Sequence, residues 1–174
     1  MALTDKESSA LARIAVELAA RAAVMARAGF ERARTAPVHK GAVDLVTETD
    51  LAVEVAVRAW LTEETGIAVI GEEEGATGSV DGLAWIVDPI DGTTNFAHRH
   101  PYFAVSIGLA DMSVPGGEPL LGCVHAPMMD EVFWCDTRGA WLGAEPLPPM
   151  RDVPLDVALL ATGFPYDRRT NPDN

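Results

Sequence analysis

The apolar periodicity of this chain changes character at residue 67. Before it, Leu11, Ile14, Leu18 and Met25 recur at helical spacing in an alanine-rich stretch, and Val53, Val57, Trp60 and Leu61 fit one face of a second helix. After it come short apolar runs punctuated by turn residues: "IAVI", "LAWIV", "FAVSIGLA", "LLGCVHAP", "EVFWCD", "GAWLG" and, late, "DVALLATG". Two helices followed by strands in quick succession restrict the chain to an α+β layered sandwich, with helices packed on a mainly antiparallel sheet.

Local chemistry sets the expected boundaries. "TDKE" at 4–7 reads as a capping box that opens the first helix. That helix should run to about Ala33, with Gly29 as a weak point near its end. "TAPVHKGA" reads as a loop. In the next segment Leu51, Val53, Val55 and Val57 also alternate as a strand would. A run of about 16 residues without a turn favours helix, opened by Thr47 or Thr49 and stopped by Gly66. Residues 1–150 are expected to form one α+β domain that carries the site. Residues 151–174, polar and turn-rich at their end, read as the start of a second subdomain cut midway, so the chain is expected to be truncated.

Composition narrows the functional classes. Apolar residues make up 48%, a globular composition. No apolar run approaches the ~18 residues of a membrane span, and "MALTDKESS" lacks the pattern of a secretory signal. A cytoplasmic location without membrane partners is the expectation. The net charge of −13 argues against nucleic-acid binding through a general field and requires cations between the chain and any anionic substrate. Cys123 and Cys135 could face each other across a hairpin, but reduced thiols are expected, and their spacing is no zinc motif.

Acidic residues recur at the edges of apolar elements: Asp44, Glu48 and Asp50 in "DLVTETD", Glu72, Glu73 and Glu74 after "IAVI", and Asp88 and Asp91 in "DPIDG" after "LAWIV". Carboxylates are costly to bury unless something cationic meets them. Strand ends that converge on one sheet edge would gather Glu72, Asp88 and Asp91, a hard oxygen set suited to Mg²⁺. Pro89 fixes a torsion between the aspartates, and the Ile90 carbonyl is a candidate oxygen ligand. Gly92 allows close approach of backbone to a ligand. Thr93, Thr94 and Asn95 suit a helix start, whose unpaired amides can seat a phosphate. Metal ligands beside an anion seat point to metal-assisted phosphoryl transfer to water. Plainer readings exist: a solvated face for Glu72 to Glu74, and a simple turn for Asp-x-x-Asp-Gly. His98 and His100 read as exposed loop histidines, and Lys40 as a surface lysine.

"GEEEG" and "WIVDPIDGTTNFAHRHPYFAVSIGLA" resemble the signature region of the inositol monophosphatase family, "KGAVDLVTETD" its upstream motif, and "LLATGFPYDRR" its bacterial members. The resemblance implies the layered sandwich of the inositol monophosphatase and fructose-bisphosphatase type. It implies hydrolysis of small phosphate monoesters, foremost inositol 1-phosphate, sensitivity to lithium, and a homodimer acting on a phosphorylated polyol or sugar. Glu72 and Asp88, with the Ile90 carbonyl, would hold a first Mg²⁺. Asp88 would bridge to a second, with Asp91 as a further ligand, for two or three ions in all. Thr93 paired with Asp50 would orient the attacking water, and the backbone at Gly92 and Thr93 would contact phosphate. The family's later Trp-Asp motif, which completes the second metal site, has no match here, so that site is expected to be incomplete. Two alternatives remain: a non-catalytic piece with a partial metal site that associates through an exposed sheet, and a divalent-cation binder without turnover.

Overall fold

The computed structural model describes residues 3–35, 42–71, 81–149 and 152–160, with side chains outside 33–35 and 42–47. Helices α1 (Asp5–Thr35) and α2 (Ala42–Thr65) precede strands β1 (Ala68–Gly71) and β2 (Leu83–Asp91). A short helix α3 (Thr93–Ala97) leads to β3 (Ala104–Asp111), β4 (Glu118–Ala126), β5 (Glu131–Asp136), β6 (Gly139–Leu142) and β7 (Glu145–Pro146). These strands form one sheet in chain order, with β1 and β2 parallel and every later neighbour antiparallel. The chain thus has the expected α+β layers, with α1 and α2 on one face of the sheet. No described helix is long and apolar enough to cross a membrane.

The capping box forms as read. Glu7 N donates to Thr4 Oγ1 at 3.3 Å, and Thr4 N donates to Glu7 Oε2 at 2.9 Å. These bonds satisfy donors that a helix start otherwise leaves unpaired, and the Thr4 contacts hold the Glu7 carboxyl below its ordinary range. The helix then buries Ala12, Ala15, Leu18, Ala19, Ala22, Ala23, Ala26 and Phe30 against the rest of the core. Gly29 is not a weak point. The helix continues to Thr35, and a Cβ at Gly29 would collide with the Thr49 side chain, so the missing side chain is what lets α1 and α2 approach.

α2 begins earlier than expected. Its 24 residues start at Ala42, so Thr47 and Thr49 lie inside the helix and do not cap it. Threonine is both an acceptable cap and a tolerable interior residue, and the close packing of Thr49 on Gly29 settles the question in favour of helix. Gly66 ends the helix as expected, at φ 65 and with its amide on Thr62 O. The last helical residue, Thr65, accepts the buried Trp85 indole N–H at 3.0 Å and so ties α2 to β2.

The side chains of β3 to β5 alternate faces. Val105, Ile107, Leu109, Leu121 and Cys123 are buried towards the helices, while Val124, Phe133 and Cys135 are exposed. Because Cys135 pairs with Gly122 and not Cys123, the two thiols fall on opposite faces and are free. Burial, with a smaller contribution from Cys135, pushes the Cys123 thiol up to about 12. At the far edge, Arg138 and Ser9 hydrogen-bond Asp136, and Thr137 reaches Ser8 and Asp5, locking the start of α1 to the β5–β6 turn. Burial works to raise the Asp136 carboxyl, but the bonds from Arg138 and Ser9 outweigh it and hold the group below its ordinary value.

The strand expected at "DVALLATG" is absent over its described part. Residues 155–157 form a turn, 158–160 pair with no strand, and 161–163 lie outside the described residues. The sheet edge is taken instead by β7, which pairs with β6.

Candidate active site

The site is built where β2 ends. "LAWIV" does not stop at Val87; the strand runs through "DPID" to Asp91. Its register with β3 slips there: Asp88 faces Ser106 and Asp91 faces Ala104, three steps against two. The extra residue is a β-bulge, a device that re-aims side chains at a strand end. Pro89 is tolerated at the bulge because a broken ladder does not need its missing N–H. Pro89 and Ile90 are both buried, which pins the bulge to the core. The Ile90 amide donates to Asp88 Oδ1 at 3.1 Å and fixes the half-buried carboxylate against its own backbone. Asp91 is exposed.

Gly92 then turns the chain. It adopts φ 92 and ψ 37, a left-handed conformation that costs a residue with a Cβ. A Cβ there would also stand 3.1 Å from the Tyr102 carbonyl oxygen. Gly92 is therefore required both for its conformation and for space. α3 follows as a single turn with no side-chain cap. The helix opens at Thr93, where the residues suit a helix start, but it does so on left-handed Gly92 and not on a side-chain cap. A helix this short carries little dipole, so what it offers an anion is the first-turn backbone N–H groups alone.

α3 is held on both sides. Phe96 is fully buried and stacks edge-on against Phe30 of α1 at 5.4 Å and Phe103 at 4.9 Å. Asn95 Nδ2 donates to the Tyr102 carbonyl at 2.8 Å, closing the loop back onto β3. This aromatic trio is a part of the site that sequence reading missed; the Phe in "TTNF" and the Phe in "HPYF" were its signal.

Asp88, Ile90, Asp91, Gly92 and Thr93 thus sit on one bulge-and-turn. Asp50 is buried on α2, the helix against which α3 packs. Glu72, with Glu73 and Glu74, lies outside the described residues, as do Lys40 and the Asp44 side chain. β1 ends at Gly71, the register partner of Val87. Among the described residues no three His, Cys, Asp or Glu side chains form a group able to hold a metal ion. His98 and His100 are exposed, as expected. Asp91, Gly92 and Asn95 open into a cavity of about 320 Å³, whose other walls include Tyr102, Glu131 and Phe133. On β4, burial lowers the His125 imidazole against an upward pull from Asp130, and its Nδ1 has no hydrogen-bond partner among the described residues.

Comparison with known proteins gives these residues a family context. The family model described as "Inositol monophosphatase family" matches residues 7–174. Inositol monophosphatase 3 of Solanum lycopersicum is 42% identical over 155 residues, covering 86% of this chain and 56% of that protein. The chain spans about half the length of the curated relatives it matches. Among solved structures, the inositol monophosphatase from Anabaena (Nostoc) sp. PCC 7120 superposes with a TM-score of 0.79 at 32% identity, over 95% of this chain and 60% of that one. SaIMPase-II, solved with inositol monophosphate bound, superposes at 0.68 with 33% identity, over 85% of this chain and 53% of that one.

Proposed function

Because this chain belongs to the inositol monophosphatase family, we propose that it serves Mg²⁺-dependent hydrolysis of small phosphate monoesters of the inositol 1-phosphate type. The observation that carries the reading is the bulge between Asp88 and Asp91, which passes through left-handed Gly92 directly into α3. The donors there are hard oxygens, the set Mg²⁺ prefers, and Ile90's amide already orients one of them. Their donor chemistry suits the ion; the described carboxylates alone form no group of three, and Glu72 lies outside the described residues. Asp88 and Asp91, the Ile90 carbonyl and Glu72 are the residues that would hold it. When bound, Mg²⁺ neutralises phosphate charge and makes water a better nucleophile at neutral pH.

The chain's own residues supply the rest. The backbone N–H groups at Gly92 and Thr93 bind phosphate oxygens. Asp50 accepts from the Thr93 hydroxyl, and that pair orients the attacking water and takes its proton. Asp91, which lines the 320 Å³ cavity, faces the alcohol part of the ester. A relative solved with inositol monophosphate bound supports a phosphorylated polyol as substrate. Phosphate release from inositol 1-phosphate with Mg²⁺ tests the reading. Turnover by the wild type and loss of at least a hundredfold in Asp88→Asn are expected; equal rates would refute it.

One observation favours a second reading. On the sheet face away from the helices, Ile86, Val124 and Phe133 are exposed at 45%, 39% and 37%. An uncovered apolar face suits association without turnover. Sedimentation as a monomer together with full turnover would exclude it.

A further inference from the structure

α2 places a second carboxylate beside the end of β1. Asp50, Glu54 and Arg58 follow one another at four-residue spacing and share one helix face. Glu54 is 1% exposed, and Arg58 NH1 stands 3.3 Å from its Oε1. A buried carboxylate is expensive, and apolar residues of similar volume commonly pack such positions better. Its burial beside Val53, Val57 and Leu61 of the same helix therefore calls for a use other than stability.

The contact that identifies the use is with Gly71. A Cβ at Gly71 would overlap the Glu54 carboxyl group and come within 2.9 Å of Arg58 NH1. Gly71 has no positive φ, so glycine is required there for space and not for conformation. The Glu54 carboxylate thus presses on bare backbone at the last residue of β1. In the parallel ladder Gly71 pairs with Val87. The next residue along each chain is Glu72 and Asp88. The buried ion pair is seated on the step of backbone from which both proposed metal ligands continue.

We infer that Glu54, held by Arg58, is a positioning residue for the metal site: it fixes the Gly71 step of β1 against its register partner Val87, and through that pair the place of Asp88, the next residue of β2. The inference rests on the metal reading above. Partners that orient metal ligands from behind are worth roughly ten- to a hundredfold in metal affinity when removed.

The test counts free Mn²⁺ by electron paramagnetic resonance in titrations of the 174-residue chain and its variants. Glu54→Gln and Arg58→Met are expected to weaken Mn²⁺ binding about tenfold or more. Val57→Ala, a buried change on the same helix, is expected to lower Tm and leave the affinity within about twofold of wild type, as a purely structural loss would. Should Glu54→Gln not fold, Arg58→Met decides alone, since Arg58 lies at the surface end of the pair with 22% of its side chain exposed. Unchanged Mn²⁺ affinity in the folded variants overturns the inference. So does an equal weakening by Val57→Ala at matched loss of Tm. Asp88→Asn separates the two levels: if it leaves Mn²⁺ binding intact the metal reading fails with the inference, and if it abolishes binding while Glu54→Gln does not, only the inference fails.

Discussion

Replacing Gly92 by alanine tests the turn on which the site depends. Two costs can be worked from the structure. An alanine at φ 92 carries the left-handed penalty, about 1–2 kcal/mol. Its Cβ would also stand 3.1 Å from the Tyr102 carbonyl oxygen and 3.5 Å from Asn95 Nδ2. The first neighbour is backbone and cannot swing aside, so overpacking adds roughly another 1 kcal/mol or more. Gly82 is the internal control: it has φ 95, yet a Cβ there meets nothing within 4 Å. Gly82→Ala should cost only the conformational part. Urea denaturation of both variants gives the comparison, with Gly92→Ala expected about 1 kcal/mol worse than Gly82→Ala, or some 2–4 °C in Tm for a chain of this size. Phosphate release should fall in Gly92→Ala and hold in Gly82→Ala. Equal costs would show that Tyr102 does not crowd the turn, and unimpaired turnover in Gly92→Ala would refute the role of the turn in the site.

Other consequences follow from the same contacts. Phe96→Ala removes the middle ring of the trio with Phe30 and Phe103 and should cost about 3–5 kcal/mol in chemical denaturation, with turnover lost along with the α3 seat. Thr65→Val leaves the buried Trp85 indole N–H without its acceptor and should cost roughly 1–3 kcal/mol, visible also as a shift in tryptophan fluorescence. Stability should depend on pH in two windows. His125 has a folded-state pKa below its ordinary 6.5, so the unfolded chain binds its proton more readily, and stability present above 6.5 is lost as pH falls below it; His125→Asn should flatten that limb. Asp136, also lowered, contributes above its ordinary 3.8 and loses that contribution as pH falls further, a limb that Asp136→Asn should remove.

Features written in local chemistry were legible in the sequence. The Thr4–Glu7 box, the Gly66 stop and strand β5 lie where the residues alone put them, because each depends on neighbours within a few positions. The start of α2 was not, because the choice between a capping and an interior threonine is made by Gly29 on another helix. The alternation of "DVALLATG" suits a strand, but a strand needs an edge, and β7 holds the one beside β6. At the site, the residues of "DPIDGTTNF" were recognisable from their types and order as a candidate metal and phosphate seat. The bulge was not, since a one-residue slip is set by the pairing of Ser106 and Ala104 across the ladder. Glu54 escaped notice because a glutamate on a helix is ordinary in sequence, and only its burial against Gly71 makes it unusual.

The most direct measurement of the central claim is an anomalous difference map from a crystal of the chain soaked in Mn²⁺. The account predicts a peak within direct coordination distance of the Asp88 and Asp91 carboxylates, beside the cavity that Asp91 and Gly92 line. Ordered carboxylates at both positions with no peak between them, or manganese bound only elsewhere, would contradict it.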